Sequence, residues 1–373
     1  MRRVDHLVVG AGVAGLAVAW RLARSGREVL VLERATVAAG ASGGPGMRGV
    51  RANGRDAREL PLMARAYRLW PELADEMGHP TGYERTGHLH LTERPEDTRV
   101  LRDQADLQSA AGVPSVTVDG AQLRELEPDL SEVVVAAVLS PLDGIADHTL
   151  TTLGLAAAAR SAGAEVRKGE GGAGLQQSGP RLRAVTEQGE LVEADGALVA
   201  ANAGTAAVAA AGGVPLPVFA VFPQVLVTPP LPRRYVRHLI GHAHRRLALK
   251  TLPGGEVMIT GGRLGRWDTQ TERGAVVAEE VAGNVADAVA VYPSLEGVDV
   301  AMAVADRAES VSNDVVPIVD RVPGTERAFF AAGWSGHGWA IAPVVAELLV
   351  GWITTGKRPE LLAPFGLERF ARS

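Results

Sequence analysis

The chain has 373 residues, 46% of them hydrophobic, a formal net charge of −5 and no cysteine. That length holds two domains and a large core, and a mean hydropathy of +0.07 fits a globular protein. The negative charge argues against a nucleic-acid partner, and the lack of cysteine excludes disulfides, thiolate metal ligands, iron–sulfur clusters and any cofactor attached through a cysteine sulfur.

Only Lys168, Lys250 and Lys357 are lysines; the remaining basic residues are arginine, a bias expected of a GC-rich genome. No apolar run reads as the roughly 18 residues that span a bilayer, and the N-terminus runs into a strand without a basic-then-apolar leader. The expectation is a cytoplasmic protein that makes no use of a membrane.

In chain order, the apolar run over 7–9 predicts a buried strand. Gly10 then makes the tight turn, Gly12 lets the backbone approach a pyrophosphate, and Gly15 permits close packing of helix on strand. A helix over 13–25 follows, with Val13 and Ala14 at the end that faces the phosphates, and Gly26 closes it. Residues 29–32 form a second parallel strand, and Glu33 stands where a carboxylate accepts both hydroxyls of a ribose. Strand, glycine turn, helix and acidic residue together specify a dinucleotide site, and the carboxylate disfavours a 2′-phosphate, leaving FAD and NAD.

Residues 38–46 carry four glycines and Pro45, so they read as loop. After Arg48 and Arg51 the periodicity predicts a helix over 58–77, a strand over 84–92, helices over 95–111 and 119–127, a helix over 149–162 and a strand from Glu165. Residues 181–187 and 191–200 read as a hairpin turning at Gln188 and Gly189. The stretch 215–263 is strand-rich and antiparallel, with strands over 220–228, 246–251 and 256–260, and 272–291 reads as one long helix. The tail returns to α/β character with a strand over 329–332, a glycine-rich turn over 333–339 and an apolar helix over 341–355. His238, His242 and His244 have a spacing that suggests metal, but no acidic ligand lies beside them in sequence, and no metal is assigned. The order implies a nucleotide domain (1–75, 141–205 and 309–373) interrupted by a substrate domain (76–140 and 206–308).

The glycines at 333, 336 and 338 let backbone press against a flat ring, while the amides opening the next helix place positive potential where a reduced flavin gathers negative charge. This block, the N-terminal fingerprint, the Gly40 to Ser42 loop, the Arg48 to Arg51 block and the element Pro317 to Asp320 resemble the FAD-dependent amine oxidases of the D-amino-acid oxidase superfamily, in particular the glycine and sarcosine oxidases. The resemblance covers nearly the whole chain. It implies an α/β fold in which a glutathione-reductase-like, Rossmann-type FAD-binding domain is interrupted by an α+β substrate domain with a large antiparallel sheet.

It further implies noncovalent FAD, held by Gly10, Gly12, Val13, Ala14, Gly15, Glu33, Arg34, Ala41, Ser42, Met47, Arg48, Val166, Ala200, Gly333, Gly336, His337, Gly338 and Trp339. Arg51 matches the arginine that grips the substrate carboxylate in the sarcosine oxidases, and Arg48, three residues earlier, can reach the same ligand. Ala340 stands where those enzymes carry a carboxylate-binding lysine. Glu309 stands where glycine oxidase and the D-amino-acid enzymes carry an arginine, a departure that counts against simple glycine or D-alanine and leaves Arg307, Arg245 or Arg246 as alternative carboxylate grips. Met258 occupies the place of the lysine beside flavin N5.

The activity implied is oxidation of the C–N bond of an amino-acid-derived amine, a secondary N-methyl or N-carboxymethyl amino acid or a larger natural-product precursor. The imine hydrolyses and molecular oxygen becomes hydrogen peroxide. The rivals are a D-amino-acid-type dehydrogenase passing electrons to a quinone or protein, and a noncatalytic FAD subunit acting through a partner.

Overall fold

The computed structural model describes residues 1–44 and 46–371; Pro45 of the glycine-rich loop and residues 372–373 of the C-terminal segment lie outside the described residues. Two large sheets organise the chain. The first runs Ile318–Arg321, Ala328–Ala332, Leu191–Val199, Arg2–Val9, Val29–Glu33, Glu165–Lys168, and all neighbours after the first pair are parallel. Alternation sorts its side chains: Val8, Val31, Leu198 and Phe329 pack with the helices Val13–Arg24, His148–Ser161 and Gly338–Thr355, while Leu7, Leu30, Ala197 and Phe330 pack on the opposite face. Both faces are covered, which is why Val29 to Leu32 reads as an unbroken apolar run.

The expected hairpin is present as Arg181–Thr186 against Leu191–Val199, and an additional strand, Gly172–Ser178, extends it. The helix Gly338–Thr355 corrects the reading that no segment is long and apolar enough to cross a bilayer: it has 18 residues and a mean hydropathy of 1.4. Half of it is buried inside the fold, against the helices Val13–Arg24 and Leu60–Met77.

The second sheet has eight strands in the order Met302–Val304, Val225–Val227, Val257–Thr260, Ala248–Thr251, Leu239–His242, His88–Thr92, Ala136–Ser140, Val116–Asp119. It is antiparallel except where Leu239–His242 runs parallel to His88–Thr92. Leu89, Leu91, Leu226, Ile240, Leu249, Val257 and Ile259 face the helix Ala278–Val291. By the two-residue period of strands, His88, His90, Leu239, Gly241, Ala248, Lys250 and Thr260 share the other face.

Two sequence expectations change here. The strand expected over 220–228 is split: Val218–Val221 pairs with Glu309–Ser312, and Val225–Val227 joins the large sheet, because Pro223 between them cannot donate to a ladder. The helix expected over 272–291 begins at Ala278, and Arg273–Ala275 instead pairs with Arg266–Asp268. Glu272 sits at φ 50°, outside helical space, and any side chain at Gly274 would collide with Ala305 O and the Phe222 ring.

Candidate active site

The first sheet delivers the carboxyl ends of three parallel strands, at Val9, Glu33 and Ala200, to one cavity of about 960 Å³. Gly10 turns at φ 108° and donates its amide to Leu32 O at 2.8 Å; a Cβ there would stand 2.5 Å from Ala200 O. Gly15 fills the packing role assigned to it, since a Cβ would overlap Gly10 O. Gly12 is the opposite case, with open space where its Cβ would be, directly in front of the helix Val13–Arg24. That helix has no side-chain cap, so its first amides are offered to whatever fills the space. The Glu33 carboxylate accepts from Ala11 N and Ala35 N, each at 2.9 Å, and is thereby fixed at the cavity wall. Arg34 lines the cavity too, with its guanidinium turned to Glu187, 2.7 Å away.

From the other end of the chain the helix Gly338–Thr355 also starts without a side-chain cap, at His337, and its N-terminus opens into the same cavity. Gly336 donates to Glu309 Oε1 at 2.8 Å, and Ser42 donates to the other Glu309 oxygen, so Glu309 ties the glycine-rich loop to the C-terminal turn. Burial raises the Glu309 carboxyl above its ordinary range, against the pull of Ser42, Gly336 and Arg48. His337 has a definite role: its Nδ1 lies 2.7 Å from Glu59, whose other oxygen pairs with Arg55 at 2.7 Å, and Arg55 donates to His337 O at 2.9 Å. The network fastens the turn to the segment that carries Arg51. The Trp339 ring lies tilted against Trp70 at 5.0 Å and against His148 at 5.3 Å.

Two uncapped helix N-termini facing one long cavity, one beside a ribose-type carboxylate and the other beside Trp339, fit a flavin dinucleotide. The first end would hold its pyrophosphate, and the second would stabilise negative charge on its reduced ring.

The second sheet closes the cavity over Arg48 and Arg51. Both lie deep in the protein on the cavity wall, and burial lowers each to about 10, so both remain cationic at neutral pH. Arg48 donates to Ser42 O at 2.8 Å and to Gly44 O, while its Nη1 finds no partner among the described residues. Arg51 donates to Asn53 O at 2.8 Å; its loop is pinned by Asp143, which accepts from Ala52 N at 2.6 Å, Asn53 N at 3.1 Å and the Tyr67 hydroxyl at 2.6 Å. His90 and His148 are driven down to about 3 by burial, so both are neutral. Lys250, 8% exposed, faces the same cavity; burial, with Arg48 and Arg51 adding to it, brings it down to about 7.

Lys250 makes stability depend on pH. An ordinary lysine titrates at ~10.4, so between about 7 and that value the unfolded chain binds the extra proton and stability rises with pH. Below about 7 both states are charged and the full desolvation penalty stands. The melting temperature of the protein is expected to rise from pH 7 to pH 10 relative to Lys250→Met, which is more stable at pH 6; parallel melting curves without pH-dependent separation would refute this.

Among the residues singled out from the sequence, Gly10, Gly12, Val13, Ala14, Glu33, Arg34, Ala41, Ser42, Arg48, Arg51, Ala200, Glu309, Gly336, His337, Gly338 and Trp339 line one cavity. Five do not. Gly15 is covered by packing, and Met47 is buried in the strand Met47–Val50. Val166 pairs with Val31 inside the sheet, and Gly171 and Gly172 form the wall from that segment instead. Gly333 does not line the cavity; at φ 61°, its would-be Cβ stands 2.9 Å from Ser312, and that of Gly338, which is on the wall, stands 2.7 Å from the Trp334 ring. Met258 is buried with Val225 and Val227, and its cross-strand neighbour Lys250 reaches the cavity. Among the other arginines considered, Arg307 lines the cavity, Arg246 is exposed, and Arg245 is occupied by Glu93 at 2.5 Å. The histidine triplet does have acidic neighbours: His238 lies 2.7 Å from Glu127, His242 3.4 Å from Glu93 and His244 2.5 Å from Asp97, each histidine with a different carboxylate. Lys250, His88 and His90 were not singled out, although a lysine among apolar strand residues and two histidines alternating with leucines are readable signals.

A family model described as "DAO: FAD dependent oxidoreductase" matches residues 5–352. The chain is 24% identical to the sarcosine oxidase β subunit of Arthrobacter sp. over 98% of its own length and 91% of that protein's. It is 25% identical to glycine oxidase of Geobacillus kaustophilus over 98% and 97% of the two chains. The crystal structure of glycine oxidase from that organism superposes with a TM-score of 0.88 over 100% of both chains at 24% identity. L-Proline dehydrogenase from P. horikoshii also reaches 0.88 over 99% and 98%, again at 24% identity. With the family model spanning most of the chain and the cavity built as described, this protein belongs to the DAO family of FAD-dependent oxidoreductases and is similar to glycine and sarcosine oxidases.

Proposed function

We propose that the chain is an oxidase of an amino-acid-derived secondary amine, an N-methyl or N-carboxymethyl amino acid, with residues 76–140 and 206–308 forming the substrate-binding part. The observation that carries this reading is the convergence of Arg48 and Arg51 on the cavity wall that also receives the N-terminus of the helix Gly338–Thr355. The arginines hold a carboxylate, which places the neighbouring C–N bond before that helix. FAD held in this cavity would supply an acceptor for the hydride equivalent of the carbon and a route for two electrons to oxygen. The substrate nitrogen loses one proton, oxygen gains two electrons and two protons to become hydrogen peroxide, and water hydrolyses the imine to a carbonyl and an amine. Glu309 cannot grip a carboxylate, because both its oxygens accept hydrogen bonds from the protein.

Oxygen consumed, peroxide formed and carbonyl product formed are expected in equal amounts with an N-substituted glycine. If the flavin is bleached by the amine, returns slowly in air and returns quickly with a quinone, the protein is a dehydrogenase and the assignment of oxygen as acceptor is wrong.

A further inference from the structure

We propose that the substrate carries two carboxylates, the first held by Arg48 and Arg51 and the second by Lys250. The inference rests on the amine-oxidising reading above and narrows its substrate class. It follows from the distribution of charge around the chamber. Arg48 faces the repulsive Arg307 but also Asp147 and Glu309, and Arg51 faces the repulsive Arg55 but also Asp143 and Glu59, so each guanidinium is offset in part by carboxylates of the protein. Lys250 has no such carboxylate among the described residues: the charges acting on it are Arg48 and Arg51, both repulsive. An ammonium group buried beside two other cations is a costly arrangement unless something supplies the missing negative charge.

The fold holds Lys250 there deliberately in a geometric sense. Its strand neighbours Leu249 and Thr251 are Leu249 on the covered face and Thr251, which bonds Val236 O at 2.6 Å, while Lys250 shares the cavity face with Ala248. A monocarboxylate bound at the arginines leaves Lys250 without a counterion. An amine with a carboxylate on each side of the nitrogen offers one to the arginine wall and the other to Lys250 on the sheet above it.

The test uses inert ligands on the FAD-loaded protein, read through the perturbation of flavin absorbance. Thiodiacetate carries two carboxylates about a sulfur, and methylthioacetate carries one. Thiodiacetate is expected to bind more tightly to the wild-type protein. Lys250→Met is expected to weaken it roughly 10- to 100-fold and to leave methylthioacetate within a factor of about three. Melting curves with FAD confirm that the variant folds, and Lys250→Arg, which keeps the charge, should retain part of the preference. Equal weakening of both ligands, or no weakening of either, overturns the proposal. So does a variant that binds thiodiacetate normally but whose reduced flavin reacts slowly with oxygen, because Lys250 then serves the oxygen reaction. Because neither ligand is oxidised, a failure of amine oxidation leaves this outcome readable on its own.

Discussion

Arg51→Met is expected to keep FAD bound and to raise KM for the amine roughly 10- to 100-fold, since a charge-assisted contact with a carboxylate contributes about 1.5–3 kcal/mol. The guanidinium is deep and cationic at neutral pH, and among the described residues it is held only by Asn53 O, so most of its donors remain for a ligand. Its loop does not depend on it, because Asp143 fixes the Ala52 and Asn53 amides independently. Methionine fills similar space without charge, and removing a poorly paired buried cation leaves the melting temperature unchanged or higher. Arg48→Met should differ, because Arg48 also clamps Ser42 O and Gly44 O: it is expected to lose flavin as well as substrate affinity. An unchanged KM for Arg51→Met would remove that residue from the site.

Gly15→Ala is the second large effect, and it acts on the cofactor. One methyl group would overlap Gly10 O and press on Val8, forcing the helix Val13–Arg24 away from the strand Arg2–Val9. Overpacking of that kind costs about 1–3 kcal/mol, and here it would also move the amides that would hold a pyrophosphate. The expected outcome is protein purified largely without FAD, with a lowered melting temperature that added FAD does not fully restore. Gly12→Ala meets no protein atom within 4 Å and should fold normally while binding FAD more weakly. A Gly15→Ala protein with full flavin content would contradict the packing described.

How much of this was legible in the sequence depends on how local each feature is. The fingerprint from Gly10 to Glu33 is a contiguous unit whose turn, helix and strand are each specified by neighbouring residues, and it folds as read. The glycine-rich turn near the C-terminus is also local, yet its glycines serve different neighbours: Gly333 yields to Ser312 and Gly338 to Trp334, contacts made by residues the turn meets only in the fold. The roof of the substrate chamber is not local at all. It is one face of a sheet in which His88–Thr92 lies beside Leu239–His242, strands about 150 residues apart in sequence, and no periodicity joins them. For that reason Lys250 went unread as a site residue, although Met258 on the neighbouring strand was considered; the antiparallel register that sets the two opposite each other is visible only in three dimensions. His337 shows the same limit, since Glu59, its partner at 2.7 Å, precedes it by 278 residues.

The central claim is that the cavity presents a carboxylate-anchored amine to FAD, and anaerobic mixing tests it most directly. The FAD-loaded protein, mixed without oxygen with a series of N-methyl and N-carboxymethyl amino acids, is expected to lose its visible flavin absorbance with at least one of them, at a rate that saturates with amine concentration and with an apparent Kd raised in Arg51→Met. A flavin that dithionite reduces but that no member of the series bleaches would contradict the account.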